Sequence, residues 1–134
     1  MLLRRIDILG WTAVFLFSTD GYDDSEVLRQ LVYCDPPESI YREVAANLEA
    51  GRPNEGFTYT NTLKRRSVVY IGPTSSGHEF LSSFVHELAH LTCDICLTDG
   101  ISLSGERIAY IQGEVARRLS DVVCHLSCDA CRDE

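Results

Sequence analysis

The stretch that constrains the fold most is residues 73–100, where a proline and a glycine bracket a long run of apolar residues at helical spacing. Ser75 or Ser76 can cap this helix, and Glu79 is placed to complete a capping box if Ser76 is the cap. The pattern predicts one helix that continues to about Leu97. Its apolar arc is expected to pack on a sheet and consists of Leu81, Phe84, Val85, Leu88, Leu91 and Ile95.

The centre of this helix carries the sequence His86-Glu87-Leu88-Ala89-His90, on the side opposite the apolar arc. Residues four apart share one helical face, so both imidazoles can reach one metal ion. Glu87 projects about 100° around the helix from His86 and can reach a water bound to that ion. The alternative is an exposed or core histidine pair without a ligand, but this spacing with the intervening glutamate favours zinc. We expect the ion to activate water and Glu87 to act as the general base.

A catalytic zinc ion usually has three protein ligands and one open position, so a third donor is needed. Glu106 is the leading candidate, because a short loop between antiparallel helices would bring it back beside His90. Its alternative role is to stabilise a helix N-terminus, and Asp94 and Asp99 are the other candidate ligands. Tyr110, one turn after Glu106, is a candidate to stabilise the oxyanion, although a packed tyrosine is the commoner role.

The remaining pattern predicts an α+β fold in the order β, α, α, β, β, α, α over a single domain of residues 1–134. Residues 4–18 form one strand or two strands broken near Gly10. Two helices follow, and then two β-prone segments at residues 56–60 and 67–71, the second of which could offer an edge to an extended peptide. A last helix, capped by Ser104 and continuing to about Leu126, is expected to cover the histidines. The predicted sheet is small and mainly antiparallel.

The composition excludes some classes of partner. A net charge of −8 argues against binding of nucleic acid, which needs clustered lysine and arginine to neutralise phosphates. The apolar run at residues 8–17 is much shorter than the roughly 20 residues of a membrane span, and no signal-peptide cleavage site follows it. We therefore expect a cytoplasmic protein that does not bind a membrane. The sequence does not determine the oligomeric state.

The chain has six cysteines, three of them in a cluster near the C-terminus. On a helix, the spacing of Cys124, Cys128 and Cys131 would give one sulfur-lined stripe, which could supply three of the four ligands of a second, structural zinc site. The candidate fourth donors are His78, Cys34 and His125. Free thiols in a reducing compartment are the alternative, and they are the commoner case. Cys93 and Cys96 are expected at the opposite end of the helix pair.

Residues 56–119 resemble the zincin-like metallopeptidases, in which a β-hairpin precedes an HExxH helix and a glutamate from the next helix completes the metal site. The closest resemblance is to the ImmA/IrrE type, whose second motif E-x-x-A is matched by residues 106–109. Proteins of that type often act in phages and other mobile elements, where they cleave a repressor. The resemblance implies a zinc-dependent peptidase with a peptide or protein substrate. It also implies zinc ligation by His86, His90 and Glu106, with Glu87 as the general base.

A second function from another class fits the same residues. In a non-enzymatic binding or regulatory protein, the metal would tie two helices together and no open coordination position would face a substrate. Replacing Glu87 by glutamine separates the two functions, because it should leave metal binding intact and remove only hydrolysis.

Overall fold

A central four-stranded sheet organises the computed structural model, which describes residues 1–19, 24–51 and 56–133. The strands in this part of the chain are β1 (Leu2–Ile8), β2 (Trp11–Phe17), β3 (Phe57–Asn61) and β4 (Arg66–Ile71). The helices are α1 (Asp24–Tyr33), α2 (Glu38–Glu49), α3 (Gly77–Asp99), α4 (Glu106–Arg118) and α5 (Ser120–Ser127). The predicted α+β class is confirmed.

The sheet is mixed, with the strand order β1-β2-β4-β3. The two outer pairs, β1 with β2 and β3 with β4, are antiparallel, whereas the central pair, β2 with β4, is parallel. Parallel neighbours need a long crossover, which α1, α2 and β3 provide here. The prediction that residues 67–71 offer an edge is wrong, because β4 lies between two other strands and β3 forms the edge.

The turn between β1 and β2 explains why the apolar N-terminal segment forms two strands. Ile8 pairs with Trp11, so the connection has only two residues, Leu9 and Gly10, and both have positive φ. Such a tight hairpin turn matches the natural twist of the two strands. Gly10 adopts this conformation at little cost, and the predicted break near it is confirmed.

Apolar side chains on the two faces of the sheet form two separate cores. In β2, Phe15 and Phe17 face a core shared with α3, α4 and α5, while Val14 and Leu16 face a core shared with α1 and α2. Because both faces of the central strands are covered, β2 is a nearly continuous apolar run. The chain is therefore layered as helices, sheet and helices, and α3 lies on the side with the larger core.

The C-terminal helical segment differs from the single helix predicted from Ser104. The structure has two helices that meet at Leu119, and Gly105 precedes the first of them without a side-chain cap. Leu119 is fully buried. The interruption there allows α4 and α5 to bury their apolar residues in the same core, a tertiary constraint that the local pattern does not contain.

The apolar arc of α3 is narrower than predicted. Four of its six residues are buried in the larger core, but Leu81 and Val85 are 44% and 48% exposed. The helix lies on the sheet through the other four, which are Phe84, Leu88, Leu91 and Ile95. In the described residues, no helix combines the length and apolar character needed to cross a membrane.

Candidate metal centre

The C-terminal end of α3 is fixed to the sheet by Asp99. Its carboxylate accepts two hydrogen bonds from the guanidinium of Arg65, at 2.6 and 2.9 Å, and one from the indole of Trp11 at 3.0 Å. These hydrogen bonds, of which those from Arg65 have the largest effect, lower the pKa of Asp99 to about 2. The Arg65 guanidinium also lies over the Trp11 ring and donates to the carbonyl of Leu9 in the first hairpin turn.

The N-terminal end of α3 is fixed by a side-chain cap and by the C-terminal segment. Of the two predicted caps, Ser75 and Ser76, it is Ser76 that forms the N-cap, and its hydroxyl accepts from the backbone N–H of Glu79. The reciprocal half of the capping box is displaced by one residue, because the Glu79 carboxylate accepts from the N–H and hydroxyl of Ser75. The Gly77 N–H donates to the carboxylate of Asp129 at 2.6 Å. Both ends of the motif helix are therefore held.

His86 and His90 lie side by side on the exposed face of α3. Their ring centroids are 4.9 Å apart in an edge-to-face arrangement, and the side chain of His86 is 70% exposed. The prediction that the C-terminal helix covers these histidines is wrong in the described part of the chain, since both are exposed to solvent. Exposure leaves the imidazole rings free to rotate toward a common ion.

Glu87 differs from the two histidines because it is buried, with only 6% of its surface exposed. Its carboxylate accepts a hydrogen bond from the Thr58 hydroxyl at 3.3 Å, and one carboxylate oxygen lies 3.9 Å from His86 Nε2. The Thr58 hydroxyl also reaches the Glu87 backbone carbonyl at 3.2 Å. Strand β3 therefore holds the glutamate beside the histidine pair.

Small and polar residues of β3, together with Gly56 just before this strand, face α3, and sequence reasoning did not identify this contact. Gly56 lies against the Glu87 side chain, Thr58 bonds to Glu87, and the Thr60 hydroxyl donates to Asp94 at 2.7 Å. A side chain at Gly56 would collide with the backbone carbonyl of Tyr70, because a Cβ there would lie 2.6 Å from that oxygen. The alternation Gly-x-Thr-x-Thr is the signal that could have found this contact.

The donor atoms of His86, Glu87 and His90 all lie within 4.8 Å of one another. Zinc–nitrogen bonds of about 2.1 Å require two ligating nitrogens to lie no more than about 4.2 Å apart. A small rotation of the exposed rings would bring the two histidine nitrogens within this distance. The three side chains therefore fit a divalent ion held by two imidazoles, with a carboxylate beside it.

The structure does not bring Glu106 into this group. Glu106 is exposed at the first residue of α4, and the charge of its neighbour Arg107 acts on Cys96 and Asp99 near the end of α3. The first turn of α4 therefore lies beside the C-terminal end of α3. Nine residues separate His90 from that end, which is about 14 Å along a helix at roughly 1.5 Å per residue.

Tyr110 lies near the β1 edge of the sheet, whereas Glu87 lies near the β3 edge. Tyr110 is 74% exposed and lines a shallow cavity with residues of β1, including Asp7 and Ile8. β1 and β3 are the two outer strands of the sheet, so about 14 Å separates them at roughly 4.8 Å per strand interval. The structure therefore does not place the Tyr110 hydroxyl where an oxyanion would form at the histidines.

The two other candidate ligands have partners in the structure. Asp99 is held by Arg65 and Trp11, as described above, at the far end of α3. Asp94 lies one turn after His90 on the side of α3 that faces β3, and it accepts the hydrogen bond from Thr60. Asp94 is thus nearer to the histidine face, but neither carboxylate joins the group of three donors.

The C-terminal cysteines do not form the predicted sulfur-lined helical stripe. Helix α5 ends at Ser127, so Cys124 is helical while Cys128 and Cys131 lie in the turn that follows. A hydrogen bond from the Cys131 thiol lowers the pKa of Cys128. Of the suggested fourth donors, Cys34 lies in the other core, where burial raises its pKa to about 11. In residues 1–19, 24–51 and 56–133, the histidine–glutamate group is the one cluster of three converging donors.

No family model, curated protein or solved structure matches this chain. The function therefore has to be argued from the geometry of the site.

Proposed function

We propose that this chain is a zinc-dependent peptidase in which His86 and His90 hold the ion and Glu87 activates a water molecule. The observation that carries the proposal is the convergence of these three side chains on α3, with the glutamate buried and the histidines exposed. A purely structural zinc ion is normally enclosed by four protein ligands. An ion on this exposed face would retain positions for water and substrate.

The burial of Glu87 suits the role of a general base. A bound zinc ion lowers the pKa of its water ligand and polarises the carbonyl of a substrate. Glu87 would accept the proton from that water and deliver it to the departing amine. Thr58 fixes the carboxylate on the side away from solvent, so one of its oxygens is positioned by the sheet and the other lies nearer to His86.

The edge of the sheet supports a peptide as the substrate. Among the described strands, β3 pairs with β4 alone, so no described strand occupies its other edge. Addition of a peptide to a sheet edge satisfies backbone hydrogen bonds without regard to sequence. Because β3 contacts Glu87 through Thr58, a peptide bound at this edge would lie close to the candidate metal centre.

Replacement of Glu87 by glutamine tests the proposal. The zinc-loaded parent protein is incubated with a mixture of random-sequence peptides, and cleavage is followed by mass spectrometry. We expect Glu87→Gln to bind zinc like the parent and to lose about 10²–10⁴-fold in hydrolysis, the usual contribution of a general base. Glu49→Gln, the same chemical change at an exposed position of α2, is the matched control and should retain full activity.

Two results would contradict this function. If the zinc-loaded parent cleaves no peptide, the ion has a non-enzymatic role. If Glu87→Gln cleaves peptides at the parental rate, the glutamate is not the base and the hydrolysis has another origin.

A separate measurement tests which residue is the third protein ligand of the zinc ion. The geometry described here predicts that Glu106→Gln leaves the affinity for zinc unchanged. The resemblance to zincin-like peptidases predicts instead a weaker affinity, which would require α4 to move toward His90 when zinc binds. Asp94→Asn, measured in parallel, tests the carboxylate that lies one turn after His90.

A further inference from the structure

Cys128 and Cys131 lie at the two ends of one tight turn after α5. The Cys131 N–H donates to the Cys128 carbonyl at 3.0 Å, which is the hydrogen bond that closes a four-residue turn. The Cα atoms at the ends of such a turn are less than about 7 Å apart, close to the range that a disulfide requires. The neighbouring Cys131 thiol also lowers the pKa of Cys128. The backbone of the turn therefore holds the two cysteines near each other.

The turn is held in place by contacts with the start of α3. Asp129, between the two cysteines, accepts the hydrogen bond from Gly77, and the Arg132 guanidinium donates to the backbone carbonyl of Thr74 at 2.7 Å. Bond formation between groups that are already held together costs little conformational entropy. The anchored turn thus favours reaction of the two thiols with each other.

The chain contains a second cysteine pair with the same spacing, and its structure is different. Cys93 and Cys96 lie within the continuous helix α3, and Cys96 is fully buried. Cys128 and Cys131 are each partly exposed, so a small reagent can reach them. The two pairs share a sequence pattern. Of the two, only the C-terminal pair is both accessible to a small reagent and placed at the ends of a tight turn.

A second metal site is the other use that these cysteines could have. It would need four donors around one ion, and the third cysteine of the cluster, Cys124, lies on the exposed surface of α5. In the part of the chain that the structure describes, no three donors that include Cys128 or Cys131 converge. The tight turn that joins Cys128 to Cys131, with no third donor converging on the pair among the described residues, therefore favours redox chemistry over metal binding.

We propose that Cys128 and Cys131 form a redox-active dithiol that exchanges with low-molecular-weight disulfides such as oxidised glutathione. The Cys128 thiolate attacks one sulfur of the glutathione disulfide, which gives a mixed disulfide and releases one glutathione thiolate. The Cys131 thiol then loses its proton to solvent, and its sulfur attacks the Cys128 sulfur and displaces the second glutathione. The two electrons lost by the cysteines reduce one glutathione disulfide to two thiols.

The test uses the full chain, reduced and freed of metal by a chelator, so that the result is independent of the histidine site. The protein is incubated with graded mixtures of oxidised and reduced glutathione, free thiols are alkylated, and the peptides are mapped by mass spectrometry. We expect the loss of two of the six thiols and a disulfide that joins Cys128 to Cys131. Cys131→Ser should accumulate glutathione on Cys128, whereas Cys124→Ser should behave like the parent.

Three results would overturn the proposal. One is the absence of a Cys128–Cys131 disulfide in the parent, an observation that needs no variant to fold. Another is that Cys128 in the Cys131→Ser variant reacts no faster than Cys124. The last is that purified protein, before chelation, contains zinc that is lost on Cys128→Ser and that protects both thiols from glutathione.

Discussion

Replacement of Gly77 by alanine tests the close contact between α3 and the C-terminal segment. A Cβ at this position would lie 2.0 Å from the backbone oxygen of Ser127 and 2.6 Å from its carbonyl carbon. Both atoms belong to the backbone, so the contact cannot be relieved by a change of side-chain rotamer. The end of α5 must move away, and the hydrogen bond from the Gly77 N–H to Asp129 is stretched or lost.

The expected destabilisation follows from these contacts. Overpacking in a well-packed contact costs about 1–3 kcal/mol, and a lost hydrogen bond to a charged group costs about 1.5–3 kcal/mol more. Alanine regains up to about 1 kcal/mol, because it favours the helix more than glycine does. The free energy of unfolding should therefore fall by about 1.5–6 kcal/mol, a large fraction of the roughly 5–15 kcal/mol that is typical of a domain.

Urea unfolding followed by circular dichroism measures this change. Gly113→Ala is the matched control, because Gly113 lies in α4 and a Cβ there would meet no atom within 4 Å. The same substitution should stabilise the protein at that position by about 0.5–1 kcal/mol through helix propensity alone. If Gly77→Ala is as stable as Gly113→Ala, the C-terminal segment does not dock on α3 in solution.

Two further predictions concern stability. The pKa of Asp99 is about 2 in the folded chain against an ordinary value of 3.8, so its stabilising contribution is complete above about pH 4 and is lost as the pH falls toward 2. Asp99→Asn should therefore make the free energy of unfolding, measured with urea at each pH, fall less steeply over that interval; an unaltered slope would contradict the pairing with Arg65. Phe84→Ala should cost about 3–5 kcal/mol because it empties part of the larger core, whereas Val85→Ala, at an exposed neighbour, should cost about 0.5 kcal/mol or less. Equal losses in the two variants, measured by urea unfolding, would mean that α3 is rotated relative to the sheet.

Local signals in the sequence predicted the local structure well. The two strands separated at Gly10, the Ser76 cap and the long motif helix each depend on residues within a few positions of one another. The spacing of His86 and His90 likewise placed both imidazoles on one helical face, although that face was predicted to be covered and is exposed. Such features depend on backbone conformation and helical periodicity, which neighbouring residues determine.

The same local signals could not predict contacts between distant segments. The pairing of β4 with β2 leaves β3 at the edge, and no local pattern encodes that order. The interruption at Leu119 and the exposure of Val85 both follow from how the helices share one core. The position of Glu106 depends on the path of the loop before α4, and the assumption of a short loop between antiparallel helices could not place it.

The candidate site likewise combines local features that the sequence predicts with a long-range contact that it does not predict. The residues that lie on one helix were identified from their spacing, but the support for Glu87 comes from β3, nearly thirty residues earlier. The contact of Thr58 with Glu87 requires the edge of the sheet to lie beside α3. The alternating glycine and threonines of residues 56–60 can be assigned to that contact only when the strand order is known.

Metal analysis of the purified protein tests directly whether His86 and His90 hold a zinc ion. Zinc is added to the metal-free full chain, unbound metal is removed, and the remaining zinc per chain is measured for the parent, His86→Ala and His78→Ala. His78 is an exposed histidine of the same helix that lies outside the donor group, and it controls for nonspecific binding to imidazole. We predict that the parent and His78→Ala retain zinc and that His86→Ala loses it. Retention of zinc by His86→Ala at the parental level would contradict the claim that His86 and His90 hold the ion.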